Sequence, residues 1–190
     1  TGARHRRRRT GRDDRDVTLA LKRFLAYWID FVVLGSFLVS LQGLIFRMTS
    51  GFPFVSLDQG YKIELWVLLT FSLPVWLYFV WCETVKRQTL GKRLLKLVVV
   101  SETGTAIGWK QALLRTFVRL LPWELTHLII LIPTPWWSVE HPPAPWRLWI
   151  PNLMIGIYIA VLFATGGHRG LHDVIGKTRV KARVKERSSP

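Results

Sequence analysis

From Phe24 to Phe46 the chain reads FLAYWIDFVVLGSFLVSLQGLIF, 23 residues whose only charge is Asp30. About 20 residues of helix cross the hydrocarbon core of a bilayer, so this stretch predicts a transmembrane helix. Ser36 and Ser40, four apart, offer a small face for close packing. Working outward, three more segments have the length and composition of spans, at about residues 63–82, 118–137 and 146–165. Glu64 lies near the start of the second and Glu83 just past its end. Pro74, in its middle, has no N–H for the carbonyl of Thr70, which predicts a kink. In the third, Pro122 and Pro133 bracket only ten residues, too few for a regular crossing. That segment either crosses with extended ends or re-enters on one side. In the fourth, Gly156, Ala160 and Ala164 form a small-residue stripe.

Basic residues decide between these two paths. Cytoplasmic flanks collect Lys and Arg. With four crossings, 24 of the 27 basic residues fall on one side: nine in the first 23 residues, eight in 83–119 and seven from 166 on. A re-entrant third segment would put the last seven outside. Four crossings with both ends cytoplasmic are therefore expected. Trp136, Trp137, Trp146 and Trp149 then form an outer aromatic belt.

The whole chain agrees. Of 190 residues, 49% are hydrophobic, yet the net charge is +15. A soluble basic protein would mix the two classes; here they alternate in blocks. Positive-inside bias and anionic inner-leaflet lipid account for the charge without nucleic acid. A single cysteine, Cys82, rules out an intrachain disulfide and argues against a cysteine metal cage. No cleavable secretory signal is read at the start. Residues 1–18, with seven arginines before Val17, read as a disordered basic arm, and 185–190 as a tail. Between the spans, Leu97 to Val100 reads as a strand, 101–104 as a turn and Ala106 to Trp109 as a return strand. From Lys110 to Leu121 the pattern is that of an amphipathic interfacial helix, with Leu113, Leu114 and Phe117 opposite Gln111, Arg115 and Arg119. Thr178 to Lys185 alternates like a strand, and Thr178 to Val184 is expected to pair with 97–100. The fold class is thus an all-α polytopic membrane protein with an interfacial helix and a small cytoplasmic β element.

Asp30 is the most informative candidate. An aspartate near a helix centre costs on the order of 2.5–3.5 kcal/mol to insert and needs a partner, a proton or a wet cavity. Two readings follow: a buried ion pair that locks the bundle, or a proton or cation site. Glu124 and His127, three apart on one helical face, form a possible polar membrane site near the inner interface. His168, His172 and Asp173 are spaced for two ligands, but a tail folded on the bundle suits them better than a metal. Gly91-Lys92 lacks the upstream glycine and the following Ser or Thr of a phosphate loop. Lys92, Arg93 and Lys96 are instead expected to meet lipid phosphates at the inner face.

Arg23-Phe-Leu-Ala-Tyr-Trp-Ile-Asp30 resembles the signature of the RDD family of bacterial membrane proteins. Gln88 to Val100, with its Gly91-Lys92, resembles that family's segment after the second span, and Arg169-Gly-Leu-His-Asp173 its closing motif. The resemblance runs from about residue 19 to 184 and assigns the signature to Arg23, Asp30 and Asp173. The literal Arg12-Asp13-Asp14 is a decoy, and Arg87 replaces a frequent glycine. The resemblance implies the bacterial inner membrane, with transport suggested and cation/proton exchange proposed for some members. It implies no reaction.

Arg23, Asp30 and Asp173 are expected to converge as a buried charge network at the inner end of the bundle, where Asp173 pairs with Arg23 or caps a helix near Gly170. Two functions compete: small cation or proton-coupled transport centred on Asp30, and a non-catalytic accessory or scaffold subunit packed against other membrane subunits or its own copies. No nucleophile–base constellation suggests an enzyme, and no cofactor is expected.

Overall fold

The computed structural model describes the backbone of residues 2–183 and the side chains of residues 17–183. Among the described residues, four helical segments are long and apolar enough to cross a bilayer: Val17–Met48, Gly60–Val85, Trp109–Ser138 and Pro145–Ala164. The first belongs to α1 (Gly2–Met48). Its helix extends back through the arm expected to be disordered. Arginine is a good helix former, and the apolar span supplies the nucleus that an isolated segment would lack. The tail at 185–190 lies outside the described residues.

The second span joins α2 (Gly60–Val67) to α3 (Leu73–Val85) through a π-helical turn, Leu68–Ser72. The irregularity expected from Pro74 takes this form: just ahead of the ring, the Leu73 N–H donates to the carbonyl of Leu68, five residues back. The wider turn relieves the missing donor and the ring clash.

The third span opens with α5 (Trp109–Leu131), which passes through Pro122 unbroken. The interfacial helix expected over 110–121 is the first half of this crossing, not a separate element. Its apolar side chains, Leu113, Leu114 and Phe117, do face outward, but Arg115 and Arg119 turn into the bundle and are buried. Proline is tolerated where a neighbour satisfies the freed carbonyl. Here Pro122 frees the carbonyl of Val118, which accepts from the Tyr158 hydroxyl at 2.5 Å. Tyr158 belongs to α6 (Trp149–Ala164), the core of the fourth span. The third span is the most enclosed of the four and the fourth the least, at 39% and 6% buried, so α5 is the central post. Gly156, Ala160 and Ala164 are exposed, as are Ser36 and Ser40, so neither small face is used inside the chain.

Residues 49–59 and 132–144 close one end of the bundle, here the loop end. At the opposite end, α4 (Leu90–Leu94), α7 (Leu171–Ile175) and a two-stranded antiparallel sheet form a small cap. In the sheet β1 (Leu97–Ser101) pairs with β2 (Thr178–Ala182), with Val99 opposite Val180, as the alternation predicted. The expected return strand at 106–109 is absent among the described residues; Trp109 already begins α5, and the strand's partner comes from the far end of the sequence. Leu97, Val99, Val180, Ile107 and Ala112 pack on Ala26 to form an apolar cluster resembling a soluble core. Glycine makes the close approaches: a Cβ at Gly91 would strike the Ala26 carbonyl, and one at Gly167, where φ is +75°, would strike the backbone of Ala20.

Elsewhere burial is inverted. Among the described residues as many polar or charged residues as apolar ones are buried, while large apolar side chains such as Phe37, Leu77 and Leu153 are at least 60% exposed. That distribution suits a lipid exterior, where apolar surface gains nothing by hiding.

Candidate functional site

Asp30, within the membrane-spanning part of α1, is 1% exposed. Its carboxylate accepts from Thr89 Oγ1 at 2.5 Å, the Gly91 N–H at 2.8 Å and the Tyr78 hydroxyl at 2.9 Å. Thr89 is itself the N-cap of α4. A carboxylate facing the free N–H groups of a helix start is well placed electrostatically, so Asp30 pins α4 against α1. None of the ion pairs among the described residues involves Asp30.

The charge network lies beside it. Arg23 donates through Nη2 to Asp173 and through Nη1 to the Gly167 carbonyl at 2.8 Å. Asp173 also receives Arg115 Nη1 and the Gly170 N–H, the latter at 2.7 Å, and so caps α7 as well as pairing with Arg23. Arg115, fully buried, reaches from Asp173 and Thr178 to Glu83, where its Nε donates at 3.0 Å. Glu83 takes two further cations, Lys92 at 2.5 Å and Arg119 at 2.8 Å. The Arg119 guanidinium also stacks over Phe79, 4.7 Å from the ring centre. Two carboxylates, on α3 and α7, thus hold four cations from α1, α4 and α5.

Burial alone would raise the Asp173 carboxyl, but the charges of Arg115 and Arg23 hold it well below the ordinary carboxylate range. Burial drives His172 well below its ordinary value against the pull of Asp173, and the nearby arginines reinforce the shift, so its imidazole is neutral at pH 7. Burial lowers Lys92 to about 8, despite Glu83.

A second polar chain lies inside the bundle toward the loop end. His127 Nδ1 is 2.7 Å from Glu64 Oε2, and its Nε2 is 3.0 Å from Glu124 Oε2. Glu124 also accepts from Ser72 Oγ at 3.0 Å and from Trp76 Nε1 at 2.9 Å. Glu64 Oε1 is buried with no partner. Glu124 and Ser72 border a cavity of about 320 Å³ between α1, the second span and α5. A second cavity, of about 380 Å³, lies between α1, α5 and α6 with Arg23 and Arg119 in its lining. Tyr27, Phe31 and Trp123 wall both cavities. Alternating acid and imidazole in a row can pass a proton by exchanging donor and acceptor roles.

Of the three signature residues, Arg23 and Asp173 meet and Asp30 does not join them; its oxygens are taken up by α4. Glu124 and His127 do pair, but with Glu64 from the opposite end of the second span, so the pair lies toward the loop end rather than near the interface first expected. Lys92 turns inward to Glu83 instead of toward lipid, because the α4 clamp aims it at the bundle, while Arg93 and Lys96 are exposed. His168 and His172 form no metal cluster among the described residues. Sequence reasoning missed Glu83, Arg115 and Arg119 as site residues. The available signal was their spacing: Arg115 and Arg119 share one face of a helix whose other face is apolar, and in a bilayer the apolar face belongs outside.

The model of the RDD family matches residues 17–177, most of the chain, and the chain belongs to that family. No curated protein and no solved structure matches it.

Proposed function

For this RDD-family membrane protein we propose proton-coupled transport of a small cation, with the proton carried by Glu64, His127 and Glu124 rather than by Asp30. One observation carries the reading: an unbroken acid–imidazole–acid chain inside the bundle, ending on a cavity that Glu124 borders. Ionisable groups inside membrane spans are costly, and they mark proton relays and ion pathways. The π-helical turn at Leu68–Ser72 places Ser72 on Glu124 and supplies the irregular helix common at such sites. Asp30, saturated by three donors, serves as an anchor in this reading. The protein resides in the bacterial cytoplasmic membrane with the sheet end inside.

The test is flux in proteoliposomes with a trapped pH dye. Addition of Na+ or K+ to the wild-type protein is expected to collapse an imposed pH gradient. Glu124→Gln, which keeps size and hydrogen bonding, should lower that rate at least about tenfold, as loss of a proton-transfer group does. Asp30→Asn, wherever it folds, should retain it. A wild-type protein that is flux-silent at every pH overturns the proposal.

The fourth span supports a second reading as an accessory subunit. Its exposed Gly156, Ala160 and Ala164 suit packing against another membrane helix. A single monodisperse chain after gentle native purification would count against it.

A further inference from the structure

The cavity between α1, α5 and α6 has one charged end. Arg23 and Arg119 sit in its lining at the sheet end, and the rest of the wall is apolar and aromatic, with Tyr27, Phe31, Trp123 and Ile159 prominent. From Arg23 to Phe31 it runs about 12 Å along α1 by helix rise. Deeper in the wall, the Tyr158 hydroxyl donates to the Val118 carbonyl and Thr126 Oγ1 to the Pro122 carbonyl. No carboxylate lines it. Trp28, Phe31, Ile155 and Ile159, at its rim, are each 39–46% exposed, so the cavity opens sideways toward the surface that lipid covers.

The charge balance names what is missing. Arg23, Lys92, Arg115 and Arg119 are each at most 8% exposed, and Glu83 and Asp173 are the carboxylates paired with them. With His172 neutral, four positive charges face two negative ones. Counting the adjacent Asp30 still leaves one positive charge over. A buried charge without a counter-ion is costly, and two of these cations line an open cavity. We propose that this cavity binds one anionic phospholipid from the surrounding bilayer, its phosphate against Arg23 and Arg119 and one acyl chain between α1, α5 and α6. The direction fits: the two arginines lie at the sheet end of the cavity, and the aromatic wall extends from them toward the loop end. Guanidinium groups favour phosphate because their planar donors match its oxygens. This inference does not depend on proton transport, and its test reads binding rather than flux.

Purified full-length protein in mild detergent is offered equimolar phosphatidylglycerol and phosphatidylcholine, and retained lipid is counted by native mass spectrometry. One phosphatidylglycerol is expected, favoured about tenfold over phosphatidylcholine, the scale of one charge-assisted contact. Arg119→Gln should bring the two lipids level. Ile159→Trp, which leaves every charge in place and narrows the cavity from its rim, should remove the bound lipid; it decides the matter where Arg119→Gln does not fold. The paired change Arg93→Gln with Lys96→Gln, on the exposed surface, should leave retention intact. Equal retention of both lipids overturns the proposal. So does retention that survives Ile159→Trp, retention lost with the surface pair, or displacement by inorganic phosphate alone, which would make the chain irrelevant.

Discussion

Two carboxylates, Asp173 and Glu83, organise the sheet end, and their sharing decides what substitution does there. Asp173 serves Arg23 and Arg115 together. Removing one member of a buried ion pair costs about 3–5 kcal/mol, so Asp173→Asn should lower the unfolding midpoint in detergent sharply. Exchanging charges, Arg23→Asp with Asp173→Arg, should fail to restore it, because the new arginine would face Arg115. A simple isolated pair would be rescued, so recovery of the wild-type midpoint would mean that Arg115 is not bound there. Lys92 makes a prediction of opposite kind. Burial lowers it to about 8 from 10.5. Below pH 8 it is protonated folded and unfolded alike. Between about 8 and 10.5 the unfolded chain holds a proton that the folded chain has released, so stability rises with pH across that window. Measured as the difference between wild type and Lys92→Met, the unfolding midpoint should climb from pH 8 toward 10.5. A flat difference would mean that Lys92 titrates as an exposed lysine. The site was half legible for a physical reason. Arg23 and Asp173 stand out as charges at span edges within recognisable motifs. Glu83 and Arg115 do not, since one line of sequence gives a helix's two faces but not which one meets lipid.

At the scale of elements, the spans followed from apolar run length, and the sheet from alternation in two distant segments. What escaped was continuity. Residues 110–121 look interfacial because an apolar face stands opposite Gln111, Arg115 and Arg119, and Pro122 looks like a terminus. Both signals dissolve once a neighbouring helix supplies what the segment lacks: acids for Arg115 and Arg119, and a hydroxyl for the carbonyl that Pro122 strands. The last of these is testable. Tyr158→Phe should cost roughly 1–2 kcal/mol, since it leaves the buried Val118 carbonyl without a donor. In a Pro122→Ala background the restored amide of residue 122 can donate to that carbonyl, so the same Tyr158→Phe change should cost much less. Unfolding free energies of the four proteins form a double-mutant cycle. Equal costs in both backgrounds would show that the hydroxyl contributes nothing through this carbonyl.

For the whole molecule, the fold changes what the basic-residue tally means. Arg23, Lys92, Arg115 and Arg119 are buried, so they form no part of the exposed basic surface of the finished protein. Taking those four out still leaves 20 of 23 basic residues in the sequence before the first span, between the second and third, and after the fourth. The asymmetry therefore survives the loss of its most interior members and supports the proposed orientation, sheet end in the cytoplasm and loop end outside. That proposed orientation would put the arginine-lined end of the larger cavity at the leaflet where anionic lipid attracts basic protein surface. In a Cys82→Ser background, single cysteines at exposed positions can read the orientation directly. Ser56→Cys and Ser138→Cys, at the loop end, should react with a membrane-impermeant maleimide added to intact cells. Thr103→Cys, in the turn after β1, should react only after the cells are opened. The reverse pattern would invert the topology and move the cationic end of the cavity to the outer leaflet. Labelling of all three in intact cells would mean two orientations, an outcome that a charge ratio this lopsided argues against.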